Sequence, residues 1–373
     1  MKTRRKTKEI KVGGVTVGGE SRISVQSMIK ADPSDFEGIK NQIGALKAAG
    51  CDIVRLAVAD FESVGMVSRL KELAAADKNY DLPLVADIHF DHRLAIEAAH
   101  AGIDKIRINP GNIGGEDRVK AVADVCRAKK IPIRIGVNGG SLEGHILAKH
   151  KSPNAEALAE SAGYNIKLLE KFDFEDIVVS VKSSDLNTMV EANLIVAGMC
   201  DYPLHLGVTE AGPARMGGIK NAIGIGSLLQ RGIGDTIRVT LTADPVLEIR
   251  EGVSILKALG LYGKSIDIIS CPTCGRCKAD VIRIANALEK RLAPIEKGLA
   301  EDTKIKIAVM GCAVNGPGEA KEADFGIAGG RGEFLFFRHG KPENKIPENK
   351  AVAILVEEAK KLVKEQQAYE TVF

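Results

Sequence analysis

Several absences narrow the reading of this chain. No apolar run approaches the ~20 residues of a membrane span, and no apolar h-region follows the basic start Lys2, Arg4, Arg5, Lys6, Lys8 and Lys11. A cytoplasmic protein is expected, with no membrane partner. The formal net charge is only +3, too small to argue for nucleic acid, and the basic start reads as a solvated terminus rather than a polyanion-binding arm. Seven cysteines, an odd number in 373 residues, do not make a disulfide framework and fit reduced thiols. Cys51, Cys126 and Cys200 have no ligand-type neighbour in sequence and read as small buried apolar residues. Asp87 and His89 fall on one face of a strand, but no third histidine or carboxylate joins them. That pair therefore reads as hydrogen-bonding substrate residues rather than a catalytic metal site. No Gly-rich phosphate turn follows the first strand, which argues against an open doubly wound sheet.

What is present is a regular alternation. Thr7 to Gly19 alternates around Ile10, Val12, Val15 and Val17 with Gly13-Gly14 between, a hairpin signal. Eight strands are then predicted, at Ile23–Met28, Asp52–Val58, Leu84–Ile88, Lys105–Asn109, Ile133–Val137, Ile177–Lys182, Leu204–Thr209 and Thr236–Leu241. Helix-period segments such as Phe36–Ala49, Phe61–Ala76, Arg93–Ala101, Asp117–Lys129 and Ala155–Lys171 lie between them. Eight such units in about 250 residues amount to an N-terminal (β/α)8 TIM-type barrel. A boundary is expected at the Gly-Lys-Ser near Lys264, giving domains 1–263 and 264–373. The second reads as a small α+β domain, with strands at Ser265–Ile269, Lys304–Met310, Asp324–Ala328 and Glu333–Phe337. Its helices fall at Asp280–Leu299 and Lys350–Glu365, and Arg338-His339-Gly340-Lys341 reads as a hairpin turn.

Active sites of barrels sit at the C-terminal ends of the strands, and there the polar residues gather. Arg55 lies on the second strand, Asp87 and His89 end the third, and Arg107 and Asn109 end the fourth. Arg134 and Asn138 belong to the fifth, Lys182 ends the sixth, His205 and Glu210 belong to the seventh, and Arg238 lies on the eighth. Arginines and a lysine converging on one mouth favour a phosphorylated substrate over internal ion pairing, since guanidinium forks match phosphate oxygens. Gly207, Gly212, Gly217-Gly218, Gly224, Gly226, Gly232 and Gly234 are expected to mark loops around the last two strands, where barrels often bind phosphate.

The second domain carries the densest chemistry. Cys271 and Cys274 stand at C-x-x-C spacing, and Cys312 returns from a second loop. Thiolates gathered in this way suit an iron–sulfur cluster or zinc; a redox dithiol or buried structural cysteines are the alternatives. The Gly-Pro-Gly before Glu319 bends the chain sharply and can turn that carboxylate toward the same centre, where a hard ligand among soft ones suggests an exchangeable position on iron. A zinc-stapled lyase or hydrolase, or a non-catalytic cluster carrier, would each use only part of these features.

Long blocks of the chain carry a resemblance. They include Val25-Gln26-Ser27-Met28, Ala86-Asp87-Ile88-His89-Phe90-Asp91, Arg107-Ile108-Asn109-Pro110-Gly111-Asn112 and Pro132-Ile133-Arg134-Ile135-Gly136-Val137-Asn138. Leu204-His205-Leu206-Gly207-Val208-Thr209-Glu210-Ala211-Gly212, Ser270-Cys271-Pro272-Thr273-Cys274 and Asn315-Gly316-Pro317-Gly318-Glu319 complete the pattern. Nearly end to end, the chain resembles the bacterial 4-hydroxy-3-methylbut-2-enyl diphosphate synthases of the non-mevalonate isoprenoid pathway. The resemblance implies a 4Fe-4S cluster held by Cys271, Cys274, Cys312 and Glu319, with the substrate 2-C-methyl-D-erythritol 2,4-cyclodiphosphate. It implies diphosphate-binding cations at Arg55, Arg107, Arg134 and Lys182; Asn109, Asn138 and His205, from their places on the barrel strands, are expected as further substrate-binding residues. It also implies flavodoxin or ferredoxin as electron donor and a head-to-tail homodimer whose active site is shared between chains. Glu210 is the expected proton donor, with Asp87 and His89 orienting substrate or relaying protons. Two departures from the family pattern are Cys277, a further thiol two residues beyond Cys274, and the stretch Ile29-Lys30-Ala31-Asp32.

Overall fold

A computed structural model describes residues 3–312, 320–330 and 332–370. The chain divides into two compact units, Met1–Leu261 and Tyr262–Phe373. No helix among the described residues is long and apolar enough to cross a membrane.

The first unit opens with a hairpin of β1 (Ile10–Val12) and β2 (Val15–Val17), with Gly13 turning at φ +53°. Eight strands follow: β3 (Ser24–Met28), β4 (Ile53–Ala57), β5 (Leu84–Asp87), β6 (Lys105–Ile108), β7 (Ile133–Asn138), β8 (Ile177–Lys182), β9 (His205–Leu206) and β10 (Thr236–Ile237). They form one sheet in the order β8-β7-β6-β5-β4-β3-β10-β9, with every pair parallel. A parallel bridge between Val179 and Leu204 joins the two ends into a ring. This is a (β/α)8 TIM-type barrel. Val12 and Val17 of the hairpin pack on Ile53 and Val85 at the strand starts, closing the N-terminal end with apolar surface.

Strand residues alternate between the two faces, and the alternation sorts this barrel unusually. Ile106, Ile108, Ile133, Ile135 and Val137 are fully or almost fully buried and face the helices. The intervening positions, which fill a TIM barrel with branched apolar side chains in most cases, here carry Lys105, Arg107 and Arg134 instead. The apolar core therefore lies between strands and helices, and the barrel interior is polar.

The last two strands are shorter than their apolar runs suggest. At Gly207 an added Cβ would stand 2.5 Å from the Arg238 carbonyl and 2.8 Å from Lys182 Nζ, so the chains are pressed together there. Pairing continues past β10 through Arg238 N–H to the Leu206 carbonyl at 2.9 Å.

Two expectations in this unit need correction. Gly217, Gly218, Gly224 and Gly226 lie within the helix Ala214–Leu229, not in loops. An added Cβ would meet Leu241 Cδ2 at 2.8 Å from Gly217 and Met189 Cε at 2.6 Å from Gly224, so these glycines let the helix approach its neighbours closely. The basic start is not simply solvated either. Arg4 pairs with the buried Asp235 at 2.9 Å, and Arg5 donates to the carbonyls of Cys200 and Tyr202, both at 2.6 Å. Guanidinium forks here satisfy carbonyls just past the helix Leu186–Met199, whose negative end favours cations.

The second unit is a five-stranded sheet in the order β11 (Ser265–Ser270), β12 (Lys304–Met310), β13 (Phe325–Gly329), β14 (Glu333–Arg338), β15 (Lys341–Pro347). The first three strands are parallel and the last three antiparallel. The helix Val281–Lys297 starts on Asp280, whose carboxylate accepts from Arg283 N–H at 3.0 Å. Its Val281, Ile284, Leu288 and Leu292 bury one stripe against Ile305, Ile307 and Phe325, together with Leu355 and Ala359 of the helix Ala351–Glu370. Strand β15 escapes the hydrophobic pattern because it is an edge strand with Pro342 and only Ile346 buried.

Candidate functional site

At the C-terminal ends of the strands, Asp87 is the electrostatic hub. Its carboxylate accepts from Arg107 Nη1 at 3.0 Å and stands 3.6 Å from Arg55 Nε and 3.6 Å from His89 Nε2. Burial alone would raise its proton affinity, yet Arg55, a hydrogen bond to His89, and Arg107 hold its carboxyl well below the usual range. Arg107 Nη1 also lies 3.4 Å from His89 Nδ1, and its Nη2 donates to the Gly136 carbonyl at 3.4 Å. A Cβ on Gly136 would fall 2.4 Å from Arg107 Nε, so only glycine leaves room for this guanidinium.

The remaining cations have less to hold. Burial, then the positive neighbour Arg238, pushes Arg55 down to about 9. Burial first, and then neighbouring guanidiniums, push Arg134 and Lys182 well below their ordinary values. Arg134 is 1% exposed, and its Nε and Nη1 have no partner among the described protein groups. Arg238 stands 3.9 Å from Glu248, a buried carboxylate on the helix Pro245–Ala258. Glu248 also accepts from Leu241 N–H at 3.0 Å, Ser27 Oγ at 3.1 Å and Lys30 Nζ at 2.9 Å. Lys30, in the stretch that departs from the family pattern, thus ties the end of β3 to the segment after β10; its Nζ also reaches the carbonyls of Leu241 and Ala243. Asp87 and Glu248 are the carboxylates set against Arg55, Arg107, Arg134, Lys182 and Arg238. Such an excess of buried positive charge is stable only with an anion bound or with protons given up.

The other predicted residues surround this cluster. Asn109 Nδ2 donates to Ser141 Oγ at 2.6 Å and to its carbonyl at 3.1 Å. Asn138 ends β7, half-buried. His205 begins its strand rather than ending it, and is fully buried below the mouth. Glu210 is exposed at φ +52°, in the left-handed region that costs a non-glycine residue free energy and is tolerated where the surroundings hold it. Lys105, Lys30 and Glu248 join the cluster without having been anticipated from the sequence. A lysine or glutamate amid apolar neighbours was the available signal, but a lysine at a strand start looks like a solvated end.

In the second unit the thiols sit on neighbouring parallel strand ends. Cys271 follows β11, and its Sγ accepts from Gly311 N–H at 3.2 Å, one residue before Cys312. Cys277 N–H donates to the Cys274 carbonyl at 2.8 Å, and Lys278 N–H to the Gly311 carbonyl at 3.1 Å. The loop of Cys274 is thereby laced to the loop of Cys312. A Cβ on Gly311 would fall 2.2 Å from Cys277 Sγ, so glycine makes the space for that sulfur. Thr273, between the two cysteines of the C-x-x-C, sits at φ +57°, a strained conformation for a β-branched residue. Cys274 is exposed, and hydrogen bonds from Arg276 lower its thiol's proton affinity. Glu319 lies outside the described residues. Among the described residues no three Cys, His, Asp or Glu side chains are already drawn together to hold a metal ion. The donor set itself, soft thiols on two adjoining loops fixed by strands, fits an iron–sulfur cluster. Cys51 and Cys126 are buried, their thiols pushed up to about 12, while Cys200 is only half-buried.

Fold and site together define a (β/α)8-barrel protein with a strongly cationic interior, joined to a thiol-bearing α+β unit. The GcpE TIM-barrel domain matches residues 7–253 and the GcpE protein C-terminal domain matches residues 267–361, and the chain belongs to the GcpE family. Curated relatives named 4-hydroxy-3-methylbut-2-en-1-yl diphosphate synthase (flavodoxin) match almost end to end. That of Clostridium perfringens is 52% identical over 95% of this chain and 98% of its own. That of Caldanaerobacter subterraneus subsp. tengcongensis is 50% identical over 98% of this chain and 100% of its own. That of Listeria monocytogenes is 51% identical over 96% and 93%. Among solved structures, the Yersinia pestis dihydropteroate synthase aligns at 15% identity and a TM-score of 0.48, over 68% of this chain and 97% of that one, too low a score to argue from.

Proposed function

We propose that this chain is an iron–sulfur oxidoreductase of isoprenoid precursor biosynthesis. It would convert 2-C-methyl-D-erythritol 2,4-cyclodiphosphate to 4-hydroxy-3-methylbut-2-enyl diphosphate. Counted on the neutral acids, the reaction consumes two electrons and two protons: a carbon–oxygen bond to phosphate breaks, opening the ring, and a hydroxyl leaves as water. The observation that carries the reading is the excess of buried guanidinium and ammonium groups over carboxylates in the barrel, in a chain about half identical to synthases of that name.

Arg55, Arg107, Arg134 and Lys182 would hold the two phosphates, so that binding energy falls on groups that do not react. Asp87 fixes the rotamers of Arg55 and Arg107 and orients His89. Asn109 and Asn138 flank the cations at the strand ends. Glu210, exposed on the loop after β9, would hold the proton delivered to the departing hydroxyl. Cys271, Cys274, Cys312 and Glu319 would hold a 4Fe-4S cluster, which when bound supplies single electrons and a Lewis-acidic iron. A flavodoxin or ferredoxin is the proposed donor. The working unit is read as a cytoplasmic homodimer, whose stoichiometry analytical ultracentrifugation would decide.

Anaerobically purified protein, given substrate and reduced flavodoxin, should release the linear diphosphate, followed by mass spectrometry. Turnover without reductant, or by zinc-loaded and iron-free protein, would overturn the reading.

A further inference from the structure

Beneath the mouth the barrel carries a second polar layer to which the reaction above gives no task. Lys105 opens β6, is fully buried, and its Nζ has no partner among the described protein groups. His205 opens β9, equally buried, and neither ring nitrogen has such a partner. Ser24 and Thr236 stand in register with His205 on adjoining strands, and their hydroxyls are also unpartnered. Above Ser24 on β3, the Gln26 amide completes the layer, likewise without a partner. The layer thus offers N–H and O–H donors and neutral acceptors, but none of its groups is a carboxylate.

The charges facing it come from every side of the ring. Arg134 and Arg55 bear on Lys105, and Arg134, Lys182 and Lys105 bear on His205. Arg107 and Arg238 lie nearer the mouth, engaged with Asp87 and Glu248 respectively. Neither carboxylate has a contact with Lys105 or His205: Asp87 is held by Arg107 and Arg55, and Glu248 by Lys30, Ser27 and the Leu241 amide. From below, Val12 and Val17 contribute only apolar surface. A proton on either group therefore enters a cationic, desolvated space with no counter-ion among the described residues.

We propose that Lys105 and His205 form a charge-adjusting floor to the anion site, taking up protons when a dianionic diphosphate fills the mouth, so that ligand binding is coupled to proton uptake. This rests on the reading of the mouth as a diphosphate site. Burial and the neighbouring guanidiniums hold both groups well below their ordinary proton affinity in the ligand-free protein. Two residues along a strand is about 7 Å, and at that distance and an effective dielectric of about 20 each arriving negative charge favours protonation roughly 50-fold. The cyclic diphosphate suits the test, because each of its phosphorus atoms carries a single strongly acidic proton. It is a fixed dianion near neutrality, and any proton taken up is the protein's.

The experiment is calorimetric titration of the unreduced holoenzyme with the cyclic diphosphate, in two phosphate-free buffers of different ionisation enthalpy. The expected result is a net uptake of about half a proton or more per ligand at neutral pH, with affinity falling as pH rises. Lys105→Met with His205→Asn should remove at least half of that uptake, Lys182 accounting for the remainder. The pH dependence of wild-type affinity tests the coupling even if the double variant does not fold. Binding with no buffer dependence and no loss of affinity toward higher pH overturns the proposal, as does uptake unchanged in a folded double variant. No binding at all would overturn the diphosphate reading and the coupling with it, a result distinct from binding without uptake.

Discussion

Replacing Asp87 with asparagine removes one charge and almost no volume, and so isolates the hub of the cationic mouth. The carboxylate stands 3.0 Å from Arg107 and 3.6 Å from Arg55. At such separations and an effective dielectric of about 20, each attraction is worth about 5 kcal/mol before desolvation is counted. Breaking a buried pair costs about 3–5 kcal/mol net, because uncompensated charge is left behind. Asparagine keeps one acceptor for Arg107, which argues for the lower end, about 3 kcal/mol. At roughly 2–4 °C per kcal/mol for a unit of this size, the barrel should unfold about 6–12 °C lower, followed by circular dichroism. Inorganic pyrophosphate should then stabilise Asp87→Asn more than wild type, since it supplies the missing negative charge. The acid limb gives a second signature. Despite burial, Arg55, His89 and Arg107 depress the Asp87 carboxyl. Its stabilisation is therefore complete above the unfolded carboxyl value near ~4 and lost as pH falls toward the folded one. The variant should lack that loss. Unfolding within 2 °C of wild type, with the same response to pyrophosphate, would refute the hub.

Four other substitutions probe separate parts of the account. Arg107→Ala should weaken binding of the cyclic diphosphate by at least about tenfold, as expected for loss of a charged hydrogen bond of about 1.5–3 kcal/mol; unchanged affinity by calorimetry removes Arg107 from the anchor. Glu210→Gln should keep its iron while losing about 10²-fold or more in turnover, the usual scale for a general acid. Gly311→Ala drives a Cβ to 2.2 Å from Cys277 Sγ, an overpacking expected to cost about 1–3 kcal/mol; adding Cys277→Ala should restore the unfolding temperature. Thr273→Gly relieves a residue at φ +57° and should stabilise the thiol loop by about 1 kcal/mol, read as slower proteolysis near Cys274.

Much of the architecture was legible because alternation and period are physical constraints. A β-branched run such as Ile177–Lys182 has few other ways to be buried, and its strand is found with those bounds. The barrel mouth was legible too, since a charged residue at a strand end has no packing reason to be there. What escaped has equally local causes. Strand β15 buries only Ile346 and is held by its pairing to β14, a tertiary cause with no hydrophobic signature. The helix Ala214–Leu229 contains four glycines' worth of breaker signal, yet close approach to Leu241 and Met189 outweighs propensity. Lys105 reads as a solvated strand start, and only closure of the ring buries it among Arg134 and Arg55. Arg4 and Arg5 read as a loose basic end because Asp235 and the Cys200 carbonyl lie about two hundred residues away in sequence.

The central claim is that the chain carries both a cluster with one carboxylate-held iron and a diphosphate-binding barrel. Anaerobic iron and sulfide analysis with Mössbauer spectroscopy, on wild type, Glu319→Ala and Cys277→Ala, tests it most directly. The account predicts four irons and four sulfides per chain, with one distinct iron site perturbed by Glu319→Ala and untouched by Cys277→Ala. A distinct site that responds to Cys277→Ala instead would make the cluster all-thiolate and contradict the carboxylate ligand. Zinc in place of iron would contradict the redox chemistry itself.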